Sequence, residues 1–106
     1  MPTSPAQPQT SVRHLPDTDP PYHVILLDDD DHTYAYVIEM LMAIFGHEFH
    51  LAQTMAETVD HQGRVIVATV HRELAELRKE QIETYGPDPR ISSSPGSMSA
   101  QIEAAA

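Results

Sequence analysis

Hydrophobic and polar positions follow two different periods along this chain. Tyr22-His-Val-Ile-Leu-Leu27 is a short apolar run rich in branched side chains, and Asp28-Asp-Asp-Asp31 stops it. Such a run, bounded by polar residues, predicts a strand. Beyond the acids the period changes. Val37, Ile38, Leu41, Ile44 and Phe45 recur at three- and four-residue intervals, which gathers them on one face of a helix. Thr33 is positioned to cap its first turn and Gly46 its end. Phe49, Ala52, Met55, Ala56 and Val59 form a second stripe and predict a helix over about 49–60. Gln62-Gly63 is a turn, and Arg64-Val-Ile-Val-Ala-Thr-Val70 a second strand. A third helix is expected over about 71–85, with Leu74, Leu77, Ile82 and Tyr85 inward and Gly86-Pro87 ending it. A weak third strand is expected near Arg90–Ser93. The order is β-α-α-β-α-(β) with no internal repeat. Three helices on one face of a small antiparallel sheet of two to three strands make the expected class α+β.

Composition divides the chain. Residues 1–20 hold five prolines, no glycine and few large apolar side chains, so they are expected to form a disordered, partly polyproline arm. Residues 92–106 are rich in serine and alanine and are expected to be a flexible tail. The expected folding unit is 21–91. It carries thirteen acidic and five basic side chains, a net −8 of the −10 borne by all 106 residues. The acid excess argues against nucleic acid and anionic membranes as partners, since Lys and Arg contacts to phosphate hold both. The chain has no cysteine, which removes disulfides, thiolate metal sites and thiol nucleophiles. No apolar run approaches the roughly 18–20 residues that span a bilayer, and no apolar leader opens the chain. A small cytoplasmic monomer is the expectation.

The acid run is the first candidate for chemistry. A solvated turn leading into a helix explains it in part, because acids favour the positive helix N-terminus. Four adjacent carboxylates also repel, and a cation among them relieves this. Calcium fits poorly. Asp28, Asp30 and Glu39 occupy positions 1, 3 and 12 of an EF-hand count, yet Thr33 stands where the loop needs Gly. A phosphoacceptor receiver domain begins with a similar strand and acids, but the strand 64–70 ends without an Asp, and Lys79 is the one lysine. His47-x-x-His50 has metal-like spacing but no third ligand at fixed distance, so no metal or other cofactor is expected. Nor do the serines of 92–94 sit in a nucleophile constellation, and no catalytic residue is expected. An organic ammonium is the third candidate cation.

From Pro21 to about Tyr85 the chain resembles the ClpS family, adaptors that hand substrates with particular N-terminal residues, N-degrons, to a Clp unfoldase. Tyr22-His-Val-Ile-Leu-Leu-Asp-Asp-Asp30 is similar to the family's strand and Asn-Asp-Asp stretch. Tyr36–Leu41 with Phe45, Ala52–Val59 with Asp60-His-Gln-Gly63, and Glu73–Arg78 are similar to its three helices in order. The resemblance implies a binding protein rather than an enzyme. A peptide's first side chain would enter an apolar pocket lined by Val37, Ala56 and Val59, with Tyr34 as the gate. Asp28, Asp29, Asp30, His32 and Asp60 would stand around its α-amino group. Glu73 and Arg78 would dock on the N-domain of a Clp AAA+ unfoldase. Two positions depart from the pattern. Asp28 stands in place of the family's Asn, and Asp60 in place of its His. Both exchange a neutral ligand for a carboxylate. Either bulky hydrophobic N-termini are still bound, or preference moves toward N-terminal Arg or Lys, or the site has lost this binding. His61, beside Asp60, is expected to be an exposed helix-end residue.

Overall fold

The structure, a computed structural model, describes residues 20–29, 31–90 and 96–105. Its elements are β1 (Tyr22–Leu27), α1 (Tyr34–Phe45), α2 (Phe49–Gln62), β2 (Arg64–Val70), α3 (Arg72–Glu83) and β3 (Ser99–Ala104). The strands form one antiparallel sheet in the order β2-β1-β3. The expected α+β class holds, and the sheet has three strands. An antiparallel sheet of this kind also excludes the parallel βα units of a receiver domain.

One face of the sheet carries the core. Val24, Leu26, Val67 and Ala100 pack with Val37, Ile38, Met40 and Leu41 of α1, Ala52, Ala56 and Val59 of α2, and Ala75 and Ile82 of α3. A bulge in β2 enlarges that face. The register with β1 shifts between Val24 and Ile25, which pair with Ala68 and Ile66, so Val67 is the extra residue. Val67 and Ala68 then both turn toward the core. The Val67 carbonyl accepts a hydrogen bond from His47 Nε2 at 2.7 Å, and His47 in turn stacks on Phe45. Buried carbonyls of this sort require a partner.

Ile25 points the other way, yet is fully buried. Arg64 on β2 reaches across β1 to Glu103 on β3 at 3.1 Å, and the register sets Ile25 midway beneath that bridge. The helix ends follow local chemistry. Thr33 accepts from the Tyr36 N–H at 3.0 Å as the N-cap of α1. Gly46 and Gly63 close α1 and α2 at φ of 72° and 85°, a left-handed conformation that favours glycine. α2 runs to Gln62, two residues beyond the expected end.

Four expectations need correction. The sheet's third strand is Ser99–Ala104, six residues within the expected flexible tail of 92–106, and of the expected stretch near 90–93 only Arg90 is among the described residues. Ser99–Ala104 holds a single β-branched residue, and its strand is made by the ladder to β1 and by burial of Met98 and Ala100. Neighbouring residues secure it. Ala105 N–H donates to the Pro21 carbonyl at 2.8 Å, and Ala100 N–H to Glu83 Oε2 at 3.2 Å. Residues 91–95, and residues 1–19 of the expected arm over 1–20, lie outside the described residues. The α3 stripe is also displaced. Ala75 and Ile82 are buried, whereas Leu77 and Tyr85 are 45% and 41% exposed. Leu77 lies about 200° around the helix from Ala75, on the far side from the sheet. Phe49, expected in the α2 stripe, is at the first position of that helix and is 48% exposed against the His50 ring.

Before β3 the chain is pinned to the start of α1. The Asp88 carboxylate is buried and accepts from Thr33 Oγ1 at 3.1 Å, and from the Arg90 backbone N–H and guanidinium at 3.0 and 2.9 Å. The Arg90 backbone bond, above all, holds this carboxyl below its ordinary pKa against the opposing effect of burial. The same guanidinium donates to Glu39 on α1. Tyr36 adds a hydrogen bond from its hydroxyl to the Gly86 carbonyl at 2.6 Å.

Candidate functional site

Three chain segments meet where β1 ends, α1 begins and α2 ends. The Asp28 N–H donates to the Gly63 carbonyl at 3.0 Å, and the Gly63 N–H donates to Val59 O at 2.9 Å. Those two bonds fix the end of β1 against the end of α2. Tyr34 opens α1 and Asp60 lies in the last turn of α2. The Tyr34 hydroxyl donates to Asp60 Oδ2 at 2.7 Å, closing the gap between the helices. This hydrogen bond leads in raising the Tyr34 phenol above its ordinary pKa. Burial and the charges of Asp60, Glu57 and Asp28 act in the same direction. Three carboxylates therefore bear on one hydroxyl.

The same two helices carry the expected apolar positions into the core. Val37, one turn along α1 from Tyr34, is 4% exposed, and Ala56 and Val59 of α2 are 1% and 2% exposed. All three belong to one packed cluster. Tyr34 is 41% exposed and Asp60 and Glu57 are exposed, so these polar groups meet water while the three apolar side chains do not.

The remaining acids of the run divide differently. Asp29 Oδ1 accepts from the Asp31 N–H at 3.0 Å and from His32 Nδ1 at 2.9 Å. His32 Nε2 donates to the Gly96 carbonyl at 2.5 Å. Both partners are pure acceptors, so both ring nitrogens carry protons and His32 is an imidazolium. Burial works against that charge, but the Asp29 bond, the Gly96 carbonyl and the charges of Asp29 and Asp31 outweigh it and raise the pKa. The His32 side chain is 1% exposed and its ring lies 4.5 Å from the Tyr36 ring. The expectation that His32 stands at the mouth is thereby corrected. With both nitrogens engaged in the interior, it ties the acidic loop to the segment before β3. Asp30 lies outside the described residues.

The geometry thus brings together Asp28, Tyr34, Val37, Ala56, Val59 and Asp60, and turns His32 and Asp29 to holding the loop. Glu57 was not among the expected residues. Its spacing from Asp60, three residues on a helix, was the available signal for a shared face. His61 is exposed, as expected, and its Nδ1 donates to the Glu57 carbonyl one turn back at 2.9 Å. Among the described residues no three His, Asp or Glu side chains gather closely enough to hold a metal ion.

The second expected surface is on α3. Glu73 is exposed and lines a groove of about 430 Å³ with His71, Arg72 and Glu76. Arg78 is half-buried, with its guanidinium 6.0 Å from the centre of the Phe45 ring and a 2.8 Å bond to Gln81. It lines a separate groove of about 500 Å³ with Ala43, Ile44, Gln81, Thr84 and Tyr85. The two residues point about 140° apart around the helix.

Comparison with known proteins supplies the family. The family model of the ATP-dependent Clp protease adaptor protein ClpS matches residues 17–88. The chain belongs to the ClpS family. The ATP-dependent Clp protease adapter protein ClpS of Pectobacterium carotovorum subsp. carotovorum (strain PC1) is 31% identical over 64 residues, 60% of each chain. The match therefore spans less than two thirds of that relative's length. The structure of Agrobacterium tumefaciens ClpS2 bound to L-phenylalaninamide superposes with a TM-score of 0.65 at 23% identity, covering 79% of this chain and 98% of that one. This likeness concerns the fold. The family match stops before β3. Among the described residues no helix is long and apolar enough to cross a membrane.

Proposed function

We propose that this ClpS-family chain is an adaptor that binds the N-terminal residue of substrate proteins and delivers them to a Clp AAA+ unfoldase for degradation. It does so in the cytoplasm, as a monomer, without chemistry or a cofactor of its own. The observation that carries the reading is the mouth itself. Asp60 accepts from the Tyr34 hydroxyl between the start of α1 and the end of α2, the charges of Asp60, Glu57 and Asp28 act on that phenol, and the apolar Val37, Ala56 and Val59 of the same two helices pack together in the core. An α-amino group has a pKa of about 7.7–8.0, and neighbouring carboxylates favour its charged form. Its three N–H donors make charge-assisted bonds that an internal peptide, with one neutral N–H, cannot copy. The first side chain then packs toward those apolar residues. The L-phenylalaninamide of the Agrobacterium structure is a first residue in miniature, with a free amine and an aromatic side chain.

Glu73 and Arg78 would contact the unfoldase N-domain, one from each flank of α3. Reversing both charges should abolish co-elution with a Clp N-domain while the helical circular dichroism is kept, and unchanged co-elution removes them from the docking surface. The N-terminus reading is tested with peptides that differ only in their first residue, Leu, Phe, Arg or Lys, each with a free or an acetylated terminus. Binding should require the free amine for at least one of the four. Loss of that requirement for all four refutes the reading.

A further inference from the structure

We infer that the free edge of β2, beside α2, is a second docking site for the substrate chain: the extended stretch behind the bound N-terminus adds to the sheet there as a strand parallel to β2. The inference rests on the adaptor reading above and extends it from the first residue to the polypeptide that follows.

β2 is an edge strand, since the sheet order is β2-β1-β3. The Asp28 N–H donates to the Gly63 carbonyl, so these two residues face each other as a bonded pair. Bonded and non-bonded pairs alternate along an antiparallel ladder. Leu26 and Val65 are then the next bonded pair, and the backbone N–H and C=O groups of Arg64 and Ile66 point away from β1. Among the described residues no turn, helix or side chain bonds to those groups of Ile66, and its side chain is 45% exposed. The open stretch ends at the bulge, where His47 already occupies the Val67 carbonyl. An unpaired edge of this kind is a template for another strand. One substrate residue beside Val65 would donate to the Arg64 carbonyl and accept from the Ile66 N–H.

The neighbouring helix turns the edge into a groove. Thr58 and Gln62 of α2 line a space of about 450 Å³ with Arg64, Val65 and Ile66. Leu51 and Met55 continue the same flank of α2 at helical spacing, and none of these four α2 side chains is charged. A strand seated here sets alternate side chains against this flank and against Ile66.

The occupant follows from position and charge. The groove opens at the end of α2, where the Gly63 carbonyl meets Asp28 and Asp60 lies in the last turn. A chain held there by its N-terminus reaches the Arg64 end of the edge by crossing one helix end, about 10 Å or three extended residues. It then runs from Arg64 toward Val70. A second copy of this chain is a poorer occupant, because each copy carries a net charge of −10 and the two repel.

The test uses the full chain and free-amine peptides that share one first residue among Leu, Phe, Arg and Lys. One peptide has three residues, and the other has twelve, with valine and threonine alternating from the fourth. The long peptide should bind about tenfold more tightly, the size of one to two net hydrogen bonds. Methylation of its amides from the fourth residue onward should return it to the affinity of the short one. Thr58→Trp fills the groove, and Ile66→Pro removes the outward N–H at an edge position that tolerates proline. Each should abolish the gain and leave binding of the short peptide unchanged. Hydrogen exchange of the Ile66 amide should slow about tenfold with the long peptide and not with the short one. Equal affinity of the wild type for both lengths, with the free amine still required, overturns the edge site and leaves the adaptor reading standing. A gain that survives both variants, or an Ile66 amide that the long peptide does not protect, overturns it equally. A wild-type dimer in sedimentation equilibrium that Ile66→Pro makes monomeric gives the edge to a second copy and overturns the proposal. Failure of the wild type to bind any free-amine peptide of either length overturns both readings.

Discussion

His32 shows how a residue can be moved from the expected site by its surroundings. As one more polar side chain after an acid run it belongs with the groups facing a ligand. In the fold, Asp29 and the Gly96 carbonyl take both ring nitrogens and the side chain is all but buried. The sign of its pH dependence follows. Its folded pKa is raised above the ordinary 6.5, so the stabilisation is fully present below that value and is lost as pH rises through the folded pKa. Thermal midpoints measured on both sides of 6.5 should therefore contain a falling component for the wild type that His32→Gln lacks. Identical pH profiles would show that the imidazolium bridge contributes nothing. Asp28 and Asp60 each stand close to the end of an element. β1 stops at the acids, and α2 stops at Gly63. Glu57 was missed because nothing in a helix periodicity says which polar face a second helix will approach.

At the scale of elements, periodicity located β1, α1, α2, β2 and α3, since each has an apolar stripe or run of its own. It could not fix which stripe of α3 is inward. Leu77 is larger than Ala75 and so carries the pattern, but close approach of the helix to the sheet favours the small side chain, with Ile82 two turns on. The two sites should respond very differently. Ile82→Ala should cost about 2–5 kcal/mol, as buried aliphatic truncations do. Leu77→Ala should stay within about 0.5 kcal/mol, as surface changes do. Urea unfolding of both variants decides the matter, and equal losses would put Leu77 back in the core. β3 was illegible for a different reason. Its residues have little strand preference of their own, and what makes them a strand is the free edge of β1, far away in sequence. The bulge at Val67 is likewise a product of pairing, and without it Ala68 would face away from the core.

At the scale of the whole molecule, the net charge of −10 first served only to exclude partners. The fold gives part of it a place. Asp28, Glu57 and Asp60 bear on one hydroxyl at the mouth, while Asp29 and Asp88 are engaged in holding loops. A chain this small and this acidic gains little from long-range attraction once salt screens it beyond about 10 Å, so recognition depends on contact at the mouth. The central claim is that this contact is with a charged chain terminus. It is tested most directly by calorimetric titration of the full chain with two peptides of one sequence, one with a free N-terminus and one acetylated. The account predicts binding of the free peptide, for the first residue the site prefers among Leu, Phe, Arg and Lys, and at least about tenfold weaker binding of its acetylated twin. Equal affinity for the two, whichever first residue is used, would contradict it.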